Sequence, residues 1–377
     1  MADRPGGRCG APRCNLSAVK QRATEVRGPG YETQRLTIGR SSLIFNSPLA
    51  SQSAVTGSPD VTEPSRQDWS TWERLASRRL LTHSIQHDGE TRTALLYVPR
   101  HVTRPRVLPL VLVFHGGASS PEKIARSSAM HRIAEREGFI VAYPAGTRVR
   151  RGLSWSVGGR EDARRTGDAR FVRNLIHDLK RRYEIDPARI YAAGFSIGGS
   201  LVYEVACRLA EQIAAIAVVG GAMTAGVFDP VRPVPLIHIH GTKDRRVPMT
   251  GGRGPATPDH NEWLPVQHGI DHWCRINRCS GSATVIRHAV QGVTAYHHSG
   301  AADVELWLVE GGYHAWPGGL AASESDDPLG LLGNFSASEK IWSFFAARPA
   351  SLRPSPRFTA ATAGSQPETA STAARRP

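Results

Sequence analysis

The segment that most constrains the fold of this chain is Pro109–Phe114, whose sequence PLVLVF is apolar throughout. A strand with both faces buried has this continuous pattern, whereas a strand with one face in water alternates apolar and polar residues. Further strand-like runs are found at 139–143, 189–193, 213–219, 236–240 and 304–309. Because segments with helical spacing separate these runs, the sequence predicts an α/β fold, a mainly parallel central sheet with helices on both faces.

Five helical segments are predicted between and after the strands: Pro121–Glu137, Asp168–Arg182, Gly198–Ala210, Asn261–Ile276 and Ala337–Phe345. In the second of them Phe171, Leu175 and Leu179 recur at i, i+4 and i+8, and Asp168 is placed to cap the first turn. The runs at 83–87 and 91–98 are joined by Asp88-Gly89, which predicts a β-hairpin. This hairpin would add an antiparallel edge to the sheet.

Composition divides the chain into three segments. Residues 1–67 and 348–377 are rich in Gly, Pro, Ser, Thr, Ala and Arg and have no apolar period, so we expect both to be disordered. Residues 68–347 form the predicted folded domain. The formal net charge of the 377-residue chain is +14, and over half of it lies in the two terminal segments. No basic run is interleaved with aromatic residues, so we expect no nucleic-acid partner.

Export and redox state are less constrained by the sequence. No stretch reaches the roughly 18 apolar residues that a membrane helix needs, so we expect no membrane partner. The first residues contain no sustained apolar core of the kind that an export signal carries. The five cysteines are too few and scattered for a disulfide framework. Cys274 and Cys279 are close enough in sequence to pair under oxidising conditions, and a reduced pair is equally compatible with the sequence.

The segment with the clearest chemistry is Gly194-Phe195-Ser196-Ile197-Gly198-Gly199. It lies between a predicted strand and a predicted helix, which is the context of a nucleophile elbow. The tight turn exposes the Ser196 hydroxyl and directs the helix N-terminus toward the reacting carbonyl. We therefore predict that Ser196 is a catalytic nucleophile.

A serine nucleophile needs a base, and the base needs a carboxylate that orients it. The predicted base is His314, which follows the last predicted strand in a loop rich in glycine. The predicted acid is Asp244, because it is the carboxylate in the loop after the strand at 236–240. Glu310 is too near His314 in sequence to orient it. Acyl transfer also needs donors to an oxyanion, which we assign to the backbone N–H groups of Ile197 and of Gly116 or Gly117.

Four segments together resemble the polyhydroxybutyrate depolymerase and feruloyl esterase group of α/β hydrolases: His115-Gly116-Gly117, 194–199, His240-Gly241-Thr242-Lys243-Asp244 and His314-Ala315-Trp316-Pro317-Gly318-Gly319. The resemblance covers roughly residues 83–346. It implies an α/β-hydrolase fold without a lid domain, no metal, no cofactor, and hydrolysis of carboxylic esters. The group often has Asn or Ala where this chain has Ile197, and a Trp-Asn pair where this chain has Trp155-Ser156.

We accordingly expect a serine esterase that acts through an acyl-enzyme on hydroxyalkanoate esters. Feruloyl or acetyl esters of plant polysaccharides are the alternative substrates, and Trp155 and Trp316 are predicted to wall the substrate site. A non-catalytic binding protein on the same fold is the alternative of another class. The resemblance implies an extracellular protein, with the cytoplasm as the alternative because no clear signal peptide is present. We expect a monomer.

Overall fold

The computed structural model describes residues 31–38, 41–48, 79–100, 107–157, 163–224, 229–256, 262–287, 292–319 and 335–350. The chain divides into two compact units, residues 1–62 and 63–377. Within the first unit the structure describes an antiparallel hairpin, β1 (Tyr31–Ile38) and β2 (Ser41–Pro48), in which Tyr31 pairs with Pro48. The sequence prediction assigned no regular structure there. The remaining parts of the segments predicted to be disordered, apart from residues 348–350, lie outside the described residues.

The second unit is built on a ten-stranded sheet and a small two-stranded one. The ten strands are β3 (Leu81–His87), β4 (Glu90–Tyr97), β5 (Leu108–Phe114), β6 (Ile140–Pro144), β9 (Ile185–Phe195), β10 (Ala215–Val219), β11 (Leu236–Gly241), β12 (Thr284–Arg287), β13 (Val293–His298) and β14 (Val304–Val309). The small sheet pairs β7 (Thr147–Arg148) with β8 (Leu153–Ser154).

The order of strands across the large sheet is β12-β13-β14-β11-β10-β9-β5-β6-β4-β3. The six central strands from β14 to β6 are parallel, and each edge is completed by two antiparallel strands. The predicted hairpin is confirmed as β3 and β4, which pair from Leu81 to His87. The sequence prediction did not include β12 and β13, two short strands at one edge of the sheet. Residues 284–286 of β12 are exposed, and β13 has only two buried residues, Val293 and Ala295.

Within the described ranges, six helices cover the sheet: α1 (Pro121–Ser128), α2 (Met130–Glu137), α3 (Ala163–Arg182), α4 (Ile197–Arg208), α5 (Val266–Ile276) and α6 (Ala337–Ala346). Helices α3, α4 and α5 contribute to one apolar cluster, and α1, α2 and α6 contribute to another. In β5, Leu110 and Leu112 belong to the first cluster while Val111 and Val113 belong to the second. Alternate residues of one strand therefore lie in opposite cores, and the predicted sheet with helices on both faces is confirmed.

Two local predictions were wrong. The segment 121–137 forms two helices, because Ala129 adopts a left-handed conformation with φ of +46° and ends the first of them. Asp168 is not a cap. Helix α3 begins at Ala163, and the Asp168 carboxylate points into the protein, where it meets Arg92 at 3.0 Å.

Candidate active site

The strand order brings the four predicted site segments to one edge of the sheet. Gly116 follows β5, Ser196 follows β9, Asp244 follows β11 and His314 follows β14. These four strands are parallel, so their carboxyl ends meet at the same edge, which is where ligands bind in open α/β sheets. The fold thus juxtaposes residues that are as far apart as 116 and 314 in the sequence.

Ser196 lies in the turn between β9 and α4 with φ of +56° and ψ of −125°, a conformation that non-glycine residues rarely adopt. The turn is tight enough to require glycine on both sides. A Cβ on Gly194 would lie 2.2 Å from the carbonyl oxygen of Gly198, and a Cβ on Gly198 would lie 2.4 Å from that of His115. The flanking glycines therefore allow the strained geometry that presents the Ser196 hydroxyl.

His314 contacts both other members of the predicted set. Its Nε2 lies 3.0 Å from Ser196 Oγ, and its Nδ1 lies 2.7 Å from Asp244 Oδ2. An ionised carboxylate can only accept hydrogen bonds, so Nδ1 carries the proton and Nε2 is left as the acceptor for the Ser196 hydroxyl. The imidazole stands 4.8 Å from the Phe195 ring, and its side chain is 10% exposed. This arrangement allows the neutral ring to take a proton from Ser196.

The Asp244 side chain is fully buried, and hydrogen bonds stabilise its negative charge. Oδ1 accepts from the backbone N–H groups of Arg246 and Val247 at 2.8 and 2.9 Å. Burial by itself would raise the pKa of this carboxyl, but the hydrogen bond and charge of His314, together with His240 and the Val247 N–H, lower it below its ordinary value. Asp244 is therefore ionised at neutral pH.

The segment after β5 packs directly against the Ser196 turn. A Cβ on Gly116 would lie 3.4 Å from Ser196 Cβ, and one on Gly117 would lie 3.6 Å from Ile197 Cγ2. The buried His115 ring fixes this segment, since Nε2 accepts from the Gly146 N–H at 3.0 Å and Nδ1 donates to the Gly116 carbonyl at 2.7 Å. Burial lowers the pKa of His115 to about 4, so the ring is neutral. In a trans peptide the N–H points opposite to the carbonyl, so the bond to His115 also orients the Gly117 N–H.

Trp155 and Trp316 occupy packing positions. The Trp155 indole is 4% exposed, and its N–H donates to the His115 carbonyl at 2.8 Å. The Trp316 indole is 3% exposed, and its N–H donates to Ser338 Oγ at 2.9 Å. These contacts account for both side chains as parts of the core, so we do not propose that either indole touches a substrate.

Sequence reasoning missed two features of this site. Gly220, which follows β10, has φ of +53°, and a Cβ there would lie 3.5 Å from His314 Nδ1 and 3.6 Å from Asp244 Oδ2. The Tyr203 and His238 side chains, both fully buried, form a hydrogen-bonded chain with His240 that ends beside Asp244. The alternation of histidines in the apolar strand at 236–240 was the available signal.

Two further properties concern only the part of the chain that the structure describes. Within those ranges, no group of three or more His, Cys, Asp or Glu side chains is arranged to hold a metal ion. None of the helices described is both long and apolar enough to cross a bilayer.

Residues 93–238, which include β5, the Ser196 turn and the first half of β11, match the family described as esterase PHB depolymerase. The chain is similar to this family over these residues, which are fewer than half of its 377. The matched segment ends before Asp244 and His314, so the geometry of those two residues is an observation independent of the match.

Two curated proteins are similar to parts of this chain. A bifunctional acetylxylan esterase/xylanase of Neocallimastix patriciarum is 34% identical over 160 residues, which are 42% of this chain and 22% of the relative. Feruloyl esterase B of Piromyces equi is 28% identical over 230 residues, which are 59% of this chain and 42% of the relative. The chain thus spans less than half the length of either relative.

Among solved structures, the acetyl xylan esterase from Aspergillus awamori superimposes with a TM-score of 0.50 at 14% sequence identity. The superposition covers 67% of this chain and 99% of that structure. At this identity the likeness concerns the fold alone, and it agrees with the α/β-hydrolase architecture expected from the sequence.

Proposed function

We propose that this protein is a serine hydrolase of carboxylic esters, with Ser196 as nucleophile, His314 as general base and acid, and Asp244 as the orienting acid. The observation that carries the proposal is the continuous hydrogen-bonded line from Asp244 Oδ2 through His314 to Ser196 Oγ, with distances of 2.7 and 3.0 Å. A serine hydroxyl gains nucleophilicity from such an arrangement of a base and a carboxylate.

The reaction proceeds in two halves. Ser196 Oγ attacks the ester carbonyl carbon while His314 Nε2 takes its proton, and the resulting oxyanion accepts hydrogen bonds from the backbone N–H groups of Ile197 and of Gly117 or Gly116. His314 then gives the proton to the departing alcohol oxygen, which leaves an acyl group on Ser196. A water molecule attacks this acyl-enzyme by the same route, and the carboxylic acid is released.

Hydroxyalkanoate esters are the first substrate class that we propose, because the family match is to polyhydroxybutyrate depolymerase esterases. The names of the two curated relatives favour feruloyl and acetyl esters as the second class. One methylene in an apolar pocket changes selectivity by only about 1–3 kcal/mol, so related acyl groups would compete. Turnover of hydroxybutyrate oligomers, methyl ferulate and nitrophenyl acetate by the purified protein separates these classes.

The decisive test of the mechanism is Ser196→Ala. We expect the folded variant to keep less than about a hundredth of the wild-type kcat/KM on every ester that the wild type cleaves, because the acyl-enzyme cannot form. Ser84→Ala on the exposed face of β3 is the matched control and should behave as wild type. If Ser196→Ala keeps more than about a tenth of the activity, the nucleophile is wrongly assigned.

A non-catalytic binding protein would carry the same fold without turnover. A fluorophosphonate probe distinguishes the two, since it labels only a serine that is activated as a nucleophile. We expect one probe molecule per chain of the wild type and none on Ser196→Ala. A wild-type protein that is folded but unlabelled would favour the binding function.

A further inference from the structure

Three buried polar side chains form a hydrogen-bonded line that ends at the loop of Asp244, the acid of the proposed site. Tyr203 Oη, on α4, lies 3.0 Å from His238 Nδ1, and His238 Nε2 lies 3.1 Å from His240 Nδ1. His240 Nε2 then lies 2.9 Å from the Val247 carbonyl oxygen. His240 is 1% exposed and the other two side chains are fully buried. Groups of this kind are costly to bury, and here each is satisfied by the next.

Only one arrangement of protons fits the neutral form of this line. The Val247 carbonyl can only accept, so His240 Nε2 carries a proton and Nδ1 is an acceptor. His238 Nε2 must therefore donate to it, which makes His238 Nδ1 the acceptor for the Tyr203 hydroxyl. Burial lowers the pKa of both histidines, and for His240 it outweighs the nearby charge of Asp244. The hydrogen bonds consequently run in one direction, from α4 toward the Asp244 loop.

The end of this line touches the Asp244 loop at two points. His240 Nε2 lies 3.5 Å from Asp244 Oδ2, the same oxygen that accepts the hydrogen bond from His314 Nδ1. Its direct acceptor belongs to Val247, whose N–H donates to Asp244 Oδ1 at 2.9 Å. One N–H of His240 therefore holds the backbone that carries the carboxylate and also faces the carboxylate itself.

We infer that His240, oriented by His238 and Tyr203, is a positioning residue that holds the Asp244 carboxylate in line with His314. This inference rests on the proposed serine hydrolase function. His240 is too deeply buried to meet a substrate, so it acts through Asp244 and not on the reacting atoms. The family match ends at His238, so this assignment comes from the observed contacts of His240 and Asp244.

Two amide variants distinguish the role of His240 Nε2 from that of His240 Nδ1. In His240→Gln the side-chain NH2 stands near the place of Nε2 and can still donate to Val247 and Asp244, whereas in His240→Asn the amide reaches only the place of Nδ1. We expect His240→Asn to lower kcat about tenfold or more while KM changes less than about threefold, because the loss falls on the transition state. His240→Gln should keep kcat within about threefold of wild type.

Three accompanying measurements make the result specific. His83→Asn, which removes another buried histidine from its partner Asp178, is the control for a purely structural loss and should leave kcat unchanged. Tyr203→Phe keeps the ring but removes the first donor of the line, so kcat should fall less than in His240→Asn. The low-field proton NMR signal of the His314 Nδ1–H, which reports its bond to Asp244, should shift or broaden in His240→Asn and persist in His240→Gln.

The outcomes distinguish failure of this inference from failure of the proposed function. If Ser196→Ala is inactive but folded His240→Asn retains wild-type kcat and an unchanged Nδ1–H signal, the positioning role is wrong and the serine mechanism stands. Equal loss in the Gln and Asn variants would also overturn the role, since the donor nitrogen would not matter. If Ser196→Ala is as active as wild type, the proposed function itself fails. Should His240→Asn not fold, His240→Gln and Tyr203→Phe still carry the test through kcat and the Nδ1–H signal.

Discussion

The neighbours of each side chain in the proposed site set its conformation, tautomer or charge. Ser196 is half-buried, and its turn has a backbone conformation that only close-packed glycines on both sides permit. His314 is held in one tautomer because its Nδ1 faces a carboxylate. Asp244 stays ionised although it is buried, because backbone N–H groups and His314 donate to both of its oxygens. At this scale the chemistry depends on hydrogen-bond direction more than on the residue types themselves.

The residue-scale prediction concerns Asp244→Asn. The amide keeps the shape of the carboxylate but presents no charge and offers the wrong partner to His314 Nδ1. We expect kcat to fall by about a hundredfold or more with KM nearly unchanged, because substrate binding does not involve Asp244. Steady-state kinetics on a nitrophenyl ester measure both parameters. The exposed Asp271→Asn is the control, and normal kcat in Asp244→Asn would mean that another group orients His314.

At the scale of elements, buried polar contacts join the loops of the site to the sheet. Arg92 on β4 donates to Asp168 on α3 at 3.0 Å and to the Ala145 carbonyl after β6 at 3.0 Å. The other Asp168 oxygen accepts from the Ser156 N–H at 2.9 Å, next to Trp155, whose indole holds the His115 carbonyl. Helix α3 thereby stabilises the segment that carries Gly116 and Gly117, the proposed oxyanion donors.

The element-scale prediction is that Asp168→Asn lowers stability and not the proton chemistry. Both members of the pair are less than a tenth exposed, and breaking a buried ion pair by removing one partner costs about 3–5 kcal/mol. Urea unfolding measures this loss, while kcat below the unfolding transition should stay within about threefold of wild type. Arg170→Gln, which removes an exposed pair with Asp88, should cost less than about 1 kcal/mol. A stability equal to wild type for Asp168→Asn would contradict the prediction.

At the scale of the whole molecule, the structure shows contacts to the domain from residues beyond 347, where the sequence predicts that the domain ends. Arg348 pairs with Asp303 at 2.8 Å and with Glu305 at 3.2 Å, and its guanidinium lies 3.8 Å from the Phe344 ring centroid. The Ala350 N–H donates to the Ala188 carbonyl at 2.7 Å. These contacts fasten the end of α6 to β14 and β9.

Two truncated proteins test this boundary. We expect residues 68–350 to retain the thermal midpoint and the activity of the full chain. Residues 68–347 should unfold about 2–6 °C lower, because the Arg348 and Ala350 contacts are lost. Scanning calorimetry provides the comparison. Identical midpoints would place the boundary at 347 after all, and a large loss in both would show that a removed segment stabilises the domain.

The pH dependence of stability is a second property of the whole molecule. Burial lowers the pKa of His115 and of His131 to about 4, and it lowers the pKa of His238 and His240 as well. In the unfolded chain these rings would bind protons near the ordinary value of about 6.5. The unfolded state therefore binds more protons than the folded one below that pH.

Because the unfolded state binds more protons, lowering the pH destabilises the folded state. Stability from the neutral rings is fully present above about pH 6.5 and is lost as the pH falls toward 4, by up to about 1.4 kcal/mol per pH unit for each ring. Urea unfolding at pH 7, 6 and 5 should show a falling free energy of unfolding. His131→Gln should show a shallower fall than wild type. A free energy that is constant over this range would contradict the burial of neutral rings.

The sequence by itself determined the fold class and the residues of the proposed site. Apolar runs such as Pro109–Phe114 can be satisfied only by burial on both faces, so they specify a central parallel strand without reference to distant residues. The turn around Ser196 is equally local, since two flanking glycines and the change from strand to helix period are all within a few residues. Asp244 and His314 followed from their places after predicted strands.

The tertiary structure decided what depends on partners distant in sequence. Asp168 has the position of a cap in a local pattern, yet Arg92, 76 residues away, turns it into half of a buried ion pair. Trp155 and Trp316 are large aromatic residues of the kind that often line substrate sites, but packing against β5 and α6 buries them. In the sequence, His240 is one of two histidines in an apolar strand. Its positioning role depends on Tyr203, which the packing of α4 against β11 places within hydrogen-bond distance of His238. Side-chain direction is set by which elements pack together, and no local pattern contains that information.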